Sequence, residues 1–382
     1  MGILRTGELH MGVTESYSRG RELVEANPLA LAFGLLIVFL LFDLVGKLAS
    51  GAVQFSSVAV LLKDGIARGL VIGLAGIGLS MTYSILNFAN FAHGDYITAG
   101  AFSGWATTYL IAGGFGSSAN VGSLLLVGAG GSVFGGALGI SATATPLAVL
   151  GGMVVAGGGA VLLSLAIDRL VFEPIRDRDG ITLLITSIGV AFALRYTIQF
   201  VFGPSKRGTT AAGGVPTLSV PVVDGTVRIT AHDATLAVVA GGLMLGVHLL
   251  LQRTRLGKAM RAMADNEDLA RVTGIPTERV VRFTWIIGGG LTGVAGYVFV
   301  LWKGTLGWFD GWILLLLIFA AVILGGIGSI YGAIVGGLVI GLTASLSVIW
   351  IPSSFSRAAA FLVMILILVV KPTGLFSGRA TA

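Results

Sequence analysis

Long, continuously apolar stretches separated by polar connections dominate the chain. A membrane-spanning helix needs about 20 mostly apolar residues, whereas membrane-spanning strands give short alternating segments. Stretches of the first kind lie at 29–48, 66–87, 91–112, 121–140, 146–171, 181–203, 234–251, 283–301, 312–328, 330–350 and 355–370. The pattern predicts an all-α fold, a polytopic transmembrane helix bundle with about ten spans, the stretch at 121–140 being the weakest candidate.

The composition excludes several other classes of protein. The 382 residues include 24 Lys and Arg and 18 Asp and Glu, together 11% of the chain, against roughly 25% in soluble domains. This excludes an ordinary cytosolic enzyme, a disordered chain and a nucleic-acid binder, because each needs far more charge. The sequence has no cysteine, so disulfides, thiolate metal sites and cysteine nucleophiles are excluded as well.

The distribution of positive charge predicts the orientation in the membrane. Seven basic residues lie between 252 and 282, and the positive-inside rule makes this connection cytoplasmic. The predicted organisation is a polar tail at 1–28, a transmembrane domain at 29–375 with this cytoplasmic loop at about 252–282, and a tail at 376–382. Residues 203–233 are expected to form an outer loop with a short hairpin. The protein is expected in the cell membrane as a multi-pass protein.

The N-terminal tail raises a conflict with the span count. Eleven complete spans would place the tail outside, despite Arg5, Arg19 and Arg21. Either one early stretch does not span, with 66–87 being re-entrant or broken as one option, or the tail departs from the rule.

Many of the 59 glycines fall inside the predicted spans. Small residues four apart let helix backbones approach closely in lipid. Gly328, Gly332 and Gly336 form such a series, and we predict that they pack one helix against another.

A polar cluster interrupts the apolar pattern between 87 and 96. Polar side chains next to hydrocarbon usually face a cavity or other parts of the protein. The cluster therefore either lines a translocation pathway or pins a break between helices, or it is a plain hinge; its polar members are Asn87, Asn90, His93 and Asp95. Arg195 lies about midway along a predicted span, where it must find a partner or extend to the membrane surface. We expect the latter.

The cytoplasmic loop is predicted to contain one short helix over 259–272. Gly274 is a natural stop for this helix, and Pro276 forbids its continuation. A short helix with small side chains at the membrane surface suits docking into a groove on a partner. The alternative is a surface helix that contacts nothing.

The sequence lacks the motifs of common catalytic sites. It has no phosphate-binding loop, and its four histidines show no metal-ligand spacing. No catalytic residue, metal site or cofactor is therefore predicted. A secondary transporter driven by an ion gradient remains an alternative, although such a protein would need buried acidic residues and few are visible beyond Asp43 and Asp95.

Three motifs in order resemble one known family. The segment NFAHGD at 90–95, the loop segments TRLGKAMRA at 254–262 and ARVTGI at 270–275, and AVILGGIGSI at 321–330 resemble the permeases of branched-chain amino-acid ABC transporters. The resemblance covers about 60 to 375.

The resemblance implies a permease subunit of an ABC importer that works by alternating access. Its implied partners are a second permease subunit, two cytoplasmic ATPase subunits that bind the ATP, and an external solute-binding protein. The cytoplasmic helix would then contact the ATPase through Asp265, Glu267, Ala270, Gly274 and Ile275. The implied substrates are branched-chain amino acids or related small polar compounds, and the motifs do not separate these.

Overall fold

A computed structural model describes residues 28–114, 140–209 and 215–376. Its helices are α1 Pro28–Ala49, α2 Phe55–Leu86, α3 His93–Ala112, α4 Pro146–Ile167, α5 Gly180–Phe202, α6 Ala231–Arg253, α7 Arg255–Asp265, α8 Glu267–Val272, α9 Thr277–Lys303, α10 Asp310–Gly325, α11 Ile330–Leu346 and α12 Ser356–Val370. Its strands are β1 Arg207–Gly208, β2 Thr217–Val222, β3 Gly225–Thr230 and β4 Thr305–Leu306. The strands form two antiparallel pairs, β1 with β4 and β2 with β3.

The helices confirm the predicted all-α membrane bundle. Within the described ranges, 8 helices are long and apolar enough to cross a membrane. The apolar helix α10 is shorter, at 16 residues, and α3 is a more polar helix of 20 residues. Adding these two gives about ten spans, as predicted. The weak candidate at 121–140 falls almost entirely outside the described residues.

The path of the chain removes the conflict over its N-terminal side. The basic α7–α8 region marks the inner face. The Ala49 end of α1 lies at the opposite, outer face, where Trp350 donates a hydrogen bond of 2.7 Å to Asp43. Pro28 therefore begins α1 at the inner face, which is the side that the positive-inside rule assigns to a tail with several arginines.

The core of the bundle is formed by helices that pack backbone to backbone. α2 lies against α11, and α9 lies against α2, α3 and α4. At the α2–α11 crossing, a Cβ atom added to Gly337 would lie 2.7 Å from the Cα of Gly73. Only glycine permits this separation, and such close approach is how helices gain contact in lipid.

The predicted glycine series occupies two different environments. Gly332 and Gly336 lie on α11 and face Gly325 and Ala321 of α10. Gly328 precedes the helix and has a φ of +87°, so it serves the turn between α10 and α11.

The predicted outer hairpin is present as β2 and β3. Its turn reaches the first residues of α2, where the Asp224 carboxylate accepts hydrogen bonds from the backbone N–H groups of Phe55 and Ser56, the latter at 2.7 Å. These two N–H groups have no partner within α2, because the first turn of a helix leaves its donors free. The hairpin thus caps a core helix.

Candidate functional site

The polar cluster at 87–96 breaks the chain between two core helices. α2 ends at Asn87, which adopts a left-handed backbone conformation with a φ of 54°. The chain then turns back into the bundle, and α3 begins at His93 beside Ala75, whose carbonyl lies 2.9 Å from the His93 Nε2 atom. Ala75 is eleven positions before the end of α2, or roughly 16 Å along a helix. α3 therefore starts deep inside the protein.

Side chains of the break itself and of neighbouring helices hold it in place. The Asn90 side-chain oxygen accepts a hydrogen bond of 3.0 Å from the Ala92 N–H, and Ser187 Oγ on α5 accepts one of 3.0 Å from the Phe91 N–H. On the other side, Thr292 Oγ1 of α9 lies 3.2 Å from His93 Nε2. The break is thus tied to three core or adjacent helices.

A buried ion pair joins the start of α3 to α5. The Arg195 Nε atom donates to Asp95 Oδ1 at 3.1 Å and its Nη2 atom to Oδ2 at 2.9 Å. The two residues are 2% and 0% exposed, and the Trp312 ring centre lies 4.1 Å from the Arg195 Cζ atom. The expectation that Arg195 extends to the membrane surface is therefore wrong, because a carboxylate within the bundle satisfies its charge.

The structure brings three of the four predicted pathway residues together. Asn90, His93 and Asp95 are buried at the start of α3, while Asn87 lines a cavity at the inner face. The contacts of the first three hold the helix break in place, which is one of the two functions considered from the sequence. Their role in a translocation pathway stays a prediction.

The cytoplasmic loop forms two short helices instead of the single helix expected over 259–272. Asn266 separates α7 from α8, and its side-chain oxygen accepts a hydrogen bond of 2.8 Å from the Leu269 N–H. Asparagine is favoured at this capping position because it satisfies a free donor of the new helix. α8 then ends before Gly274, whose φ of +85° fits the predicted stop.

The residues predicted to contact an ATPase differ in exposure. Asp265 and Gly274 are exposed, while Glu267 and Ile275 are half-buried. Ala270 is only 2% exposed and packs into the chain's own core, and its part in an ATPase contact stays a prediction. Leu269 and Val272, which are not among the predicted contact residues, are 61% and 85% exposed. Their signal in the sequence is that they are two large apolar residues within a highly charged loop.

A polar cavity of about 280 Å³ lies between α8 and the α4–α5 connection. Its lining includes Asn87 and Glu267, so residues from both predicted sets meet there. Arg176 crosses one wall and binds Glu278 at 2.7 Å and Asp168 at 3.0 Å. Burial works against the charge on Arg176, but these two carboxylates outweigh it and raise the pKa of the guanidinium. The arginine therefore links the loop to the end of α4 as a permanent cation.

The described residues contain no group of three or more His, Asp or Glu side chains that could hold a metal ion. What the geometry defines is a multi-pass bundle with a polar break between two of its core helices and a helical pair on its inner face. These are features of a transport permease.

The chain belongs to the family of branched-chain amino acid transport system permease components, whose model matches residues 61–370. It is 28% identical to the high-affinity branched-chain amino acid transport system permease protein LivH of Escherichia coli (strain K12), over 82% of this chain and 93% of LivH. It is 26% identical to the corresponding permease protein BraD of Pseudomonas aeruginosa, over 82% of this chain and 94% of BraD. No solved structure matches the chain.

The family membership identifies the chain as a permease subunit of an ABC importer and not an enzyme. It is a multi-pass protein of the cell membrane and acts with other components of an ABC transporter.

Proposed function

We propose that this subunit carries branched-chain amino acids, or related small polar compounds, across the membrane by alternating access driven by ATP hydrolysis on partner chains. The substrate class rests on the similarity to LivH and BraD, both of which are named as high-affinity branched-chain amino acid permeases. The partners are a second permease subunit, two cytoplasmic ATPases and an external solute-binding protein. The chain itself would need no cofactor, since the ATP is bound by the ATPases.

The exposed apolar surface of α8 carries the ATPase part of this proposal. Leu269 and Val272 lie on the inner side of the membrane, in the most highly charged connection of the chain. Leaving two large apolar side chains in water is unfavourable, and burying each would gain about 1.5–3 kcal/mol. Meanwhile Ala270 anchors α8 to the bundle, so a force on α8 is transmitted to the spans. This arrangement supports a docking helix for a cytoplasmic ATPase.

Reconstitution of the complete transporter tests the function. The chain would be placed in proteoliposomes with its second permease, both ATPases and the binding protein, and uptake of radiolabelled leucine would be followed. We expect uptake only with ATP. Uptake by this chain alone under an ion gradient, without ATP, would overturn the proposal in favour of a secondary transporter.

The substitution Val272→Asp tests the docking surface. A carboxylate at the centre of an apolar contact has to be desolvated without a partner, so we expect ATPase copurification and leucine uptake to fall at least about tenfold, equivalent to 1.4 kcal/mol. Membrane insertion should be unchanged because Val272 is 85% exposed.

Val223→Asp is the matched control. Val223 is 91% exposed on the outer hairpin, so the same substitution there should leave ATPase copurification intact. Normal copurification of the ATPases with the Val272→Asp variant would refute the assignment of α8 as the docking helix.

A further inference from the structure

A large cavity opens at the outer face, opposite α7 and α8. It has a volume of about 570 Å³ and lies among the outer ends of α2, α6, α9, α10 and α12. Its lining combines charged side chains at the rim with apolar side chains of α10 below them. Mixed linings of this kind suit small amphipathic ligands, because the polar groups orient the ligand and the apolar wall covers the rest.

The three carboxylates of the cavity already lie beside cations, and the first of them, Asp64, is 3.2 Å from Lys63. Asp233 accepts hydrogen bonds from Lys63 at 3.1 Å and from the Trp302 indole at 2.9 Å. Asp310 binds Lys303 at 3.0 Å, and Lys206 lies 3.6 Å from it. The lining holds five cationic and three anionic side chains, so the cavity carries an excess of positive charge and is poorly suited to an amine as its principal ligand group.

Two arginines of the cavity are not held in an ion pair among the described residues, although the charge of the nearby Asp64 carboxylate acts on Arg68. Arg68 is half-buried on α2 and Arg357 is exposed at the start of α12. No hydrogen bond or ion pair joins either guanidinium to another residue in the described part of the chain. A partly desolvated guanidinium binds a carboxylate through two parallel hydrogen bonds. Arg68 is therefore the group best placed to attract an anion.

The wall beneath the rim is apolar and belongs mainly to one helix face. Ile313, Leu314 and Leu317 follow one another along α10, and Phe299 of α9 adds an aromatic surface. A ligand whose carboxylate lies at Arg68 can place a compact aliphatic tail against this wall.

We propose that this cavity binds the carboxylate end of a small amphipathic solute, with Arg68 as its main partner, at the outer end of the transport route. The inference rests on the proposed import of amino acids, and it assigns the recognition of the α-carboxylate to Arg68 and of the aliphatic side chain to α10.

A single-cysteine reporter tests the cavity directly. The chain has no native cysteine, so Ile313→Cys introduces one thiol within the wall. Its labelling by a membrane-impermeant maleimide would be followed as a mass shift of this chain in the complete transporter. We expect leucine and 4-methylpentanoate, which lacks the amine, to slow labelling, and 3-methylbutylamine, which lacks the carboxylate, to have no effect. Equal protection by the amine would overturn the proposal.

The substitution Arg68→Gln assigns the effect to the guanidinium. We expect it to weaken protection by 4-methylpentanoate on the order of tenfold, the loss of one charge-assisted contact, while Arg68→Lys retains part of it. Arg228→Gln, on the exposed strand β3 of the same face, should retain full protection. Unchanged protection in Arg68→Gln, or a loss confined to docking of the binding protein, would refute the role of Arg68.

The comparison of ligands is made on a chain with intact Arg68, so it does not depend on the folding of the variants. The two proposals also fail separately. Protection by 4-methylpentanoate without ATP-dependent leucine uptake would preserve the carboxylate site and refute the proposed transport function. ATP-dependent leucine uptake without any protection would support the proposed transport function and refute the carboxylate site.

Discussion

In this protein the most deeply buried helices are less hydrophobic than the outermost helices, which is the opposite of the order in soluble proteins. In α2 and α9, 78% and 72% of the residues in the spanning window are buried, compared with 0% in α1 and 6% in the segment Ser353–Val370 that contains α12. Yet α1 and α12 are the more apolar pair. In this protein, the strongest hydrophobicity marks the helices that face lipid.

The reason is that lipid removes the hydrophobic force between helices. A leucine gains little by leaving hydrocarbon for the protein interior, so close packing and internal polar contacts select the core. α2 and α9 accordingly carry the glycines and hydroxyl side chains that contact neighbouring helices, such as Gly73 and Thr292. The comparison teaches that polarity and small size, more than hydrophobicity, predict burial here.

The largest effect is expected from breaking the buried ion pair. In Asp95→Asn, the carboxylate is lost and Arg195 keeps its charge inside the bundle, where the rings of Phe192, Phe309 and Trp312 lie beside it but supply no anion. Removing one partner of a buried pair typically destabilises a protein by about 3–5 kcal/mol. We expect a large fall in the thermal unfolding midpoint of the purified chain in detergent.

Asp43→Asn provides the contrast on the outermost helix. Asp43 pairs with Lys47 at 2.8 Å on α1, where both side chains are about one-third exposed. Its loss should change the unfolding midpoint little, because exposed pairs contribute little and the asparagine oxygen can still accept the hydrogen bond from Trp350. Equal shifts for the two variants would mean that the core and the outer shell do not differ as described.

A smaller effect is expected from adding one methyl group to a core glycine. In Gly293→Ala on α9, the new Cβ atom would overlap the Ala156 carbonyl and lie 2.6 Å from the Ala160 side chain. Overpacking of this kind destabilises by about 1–3 kcal/mol. Gly241→Ala on α6 meets nothing within 4 Å and should be neutral or slightly stabilising. Thermal unfolding of the two variants side by side measures the difference, and equal tolerance would argue against tight packing at α9.

The spans were predictable because their apolar runs are long and their orientation follows from a single basic loop. Their ends were less predictable: α2 begins at Phe55, although its first turns, with Lys63, Asp64 and Arg68, interrupt the apolar pattern. Those residues lie in the outer cavity, where charge does not have to be desolvated fully. Charged residues before an apolar run can mean that the helix begins later, or that its first turns line a cavity. The sequence pattern does not distinguish these two cases.

The site was predictable in its residue types and not in its contacts. The polar cluster stood out, yet its pairing with Arg195 joins positions 100 residues apart and depends on which helices are neighbours. Two opposite charges in otherwise apolar spans were the only hint. Likewise, the break at Asn266 within the cytoplasmic loop follows from local capping, which helix periodicity alone does not reveal.

The smallest effect is expected from removing the charge of Asp224, which caps the outer end of α2. Partial burial acts to raise the pKa of Asp224, but the N–H groups of Ser56 and Phe55 outweigh it and hold that pKa below its ordinary value. A lowered pKa means that the ionised carboxylate stabilises the fold at neutral pH, and that this contribution disappears as the pH falls below about 4. At pH 7, Asp224→Asn should therefore unfold at a slightly lower temperature than the unmodified chain. The difference between the two unfolding midpoints should disappear towards pH 3. The unfolding midpoint of both chains across this range measures the effect. A gap that is independent of pH would show that the hairpin stabilises α2 by packing and not by the charge of its cap.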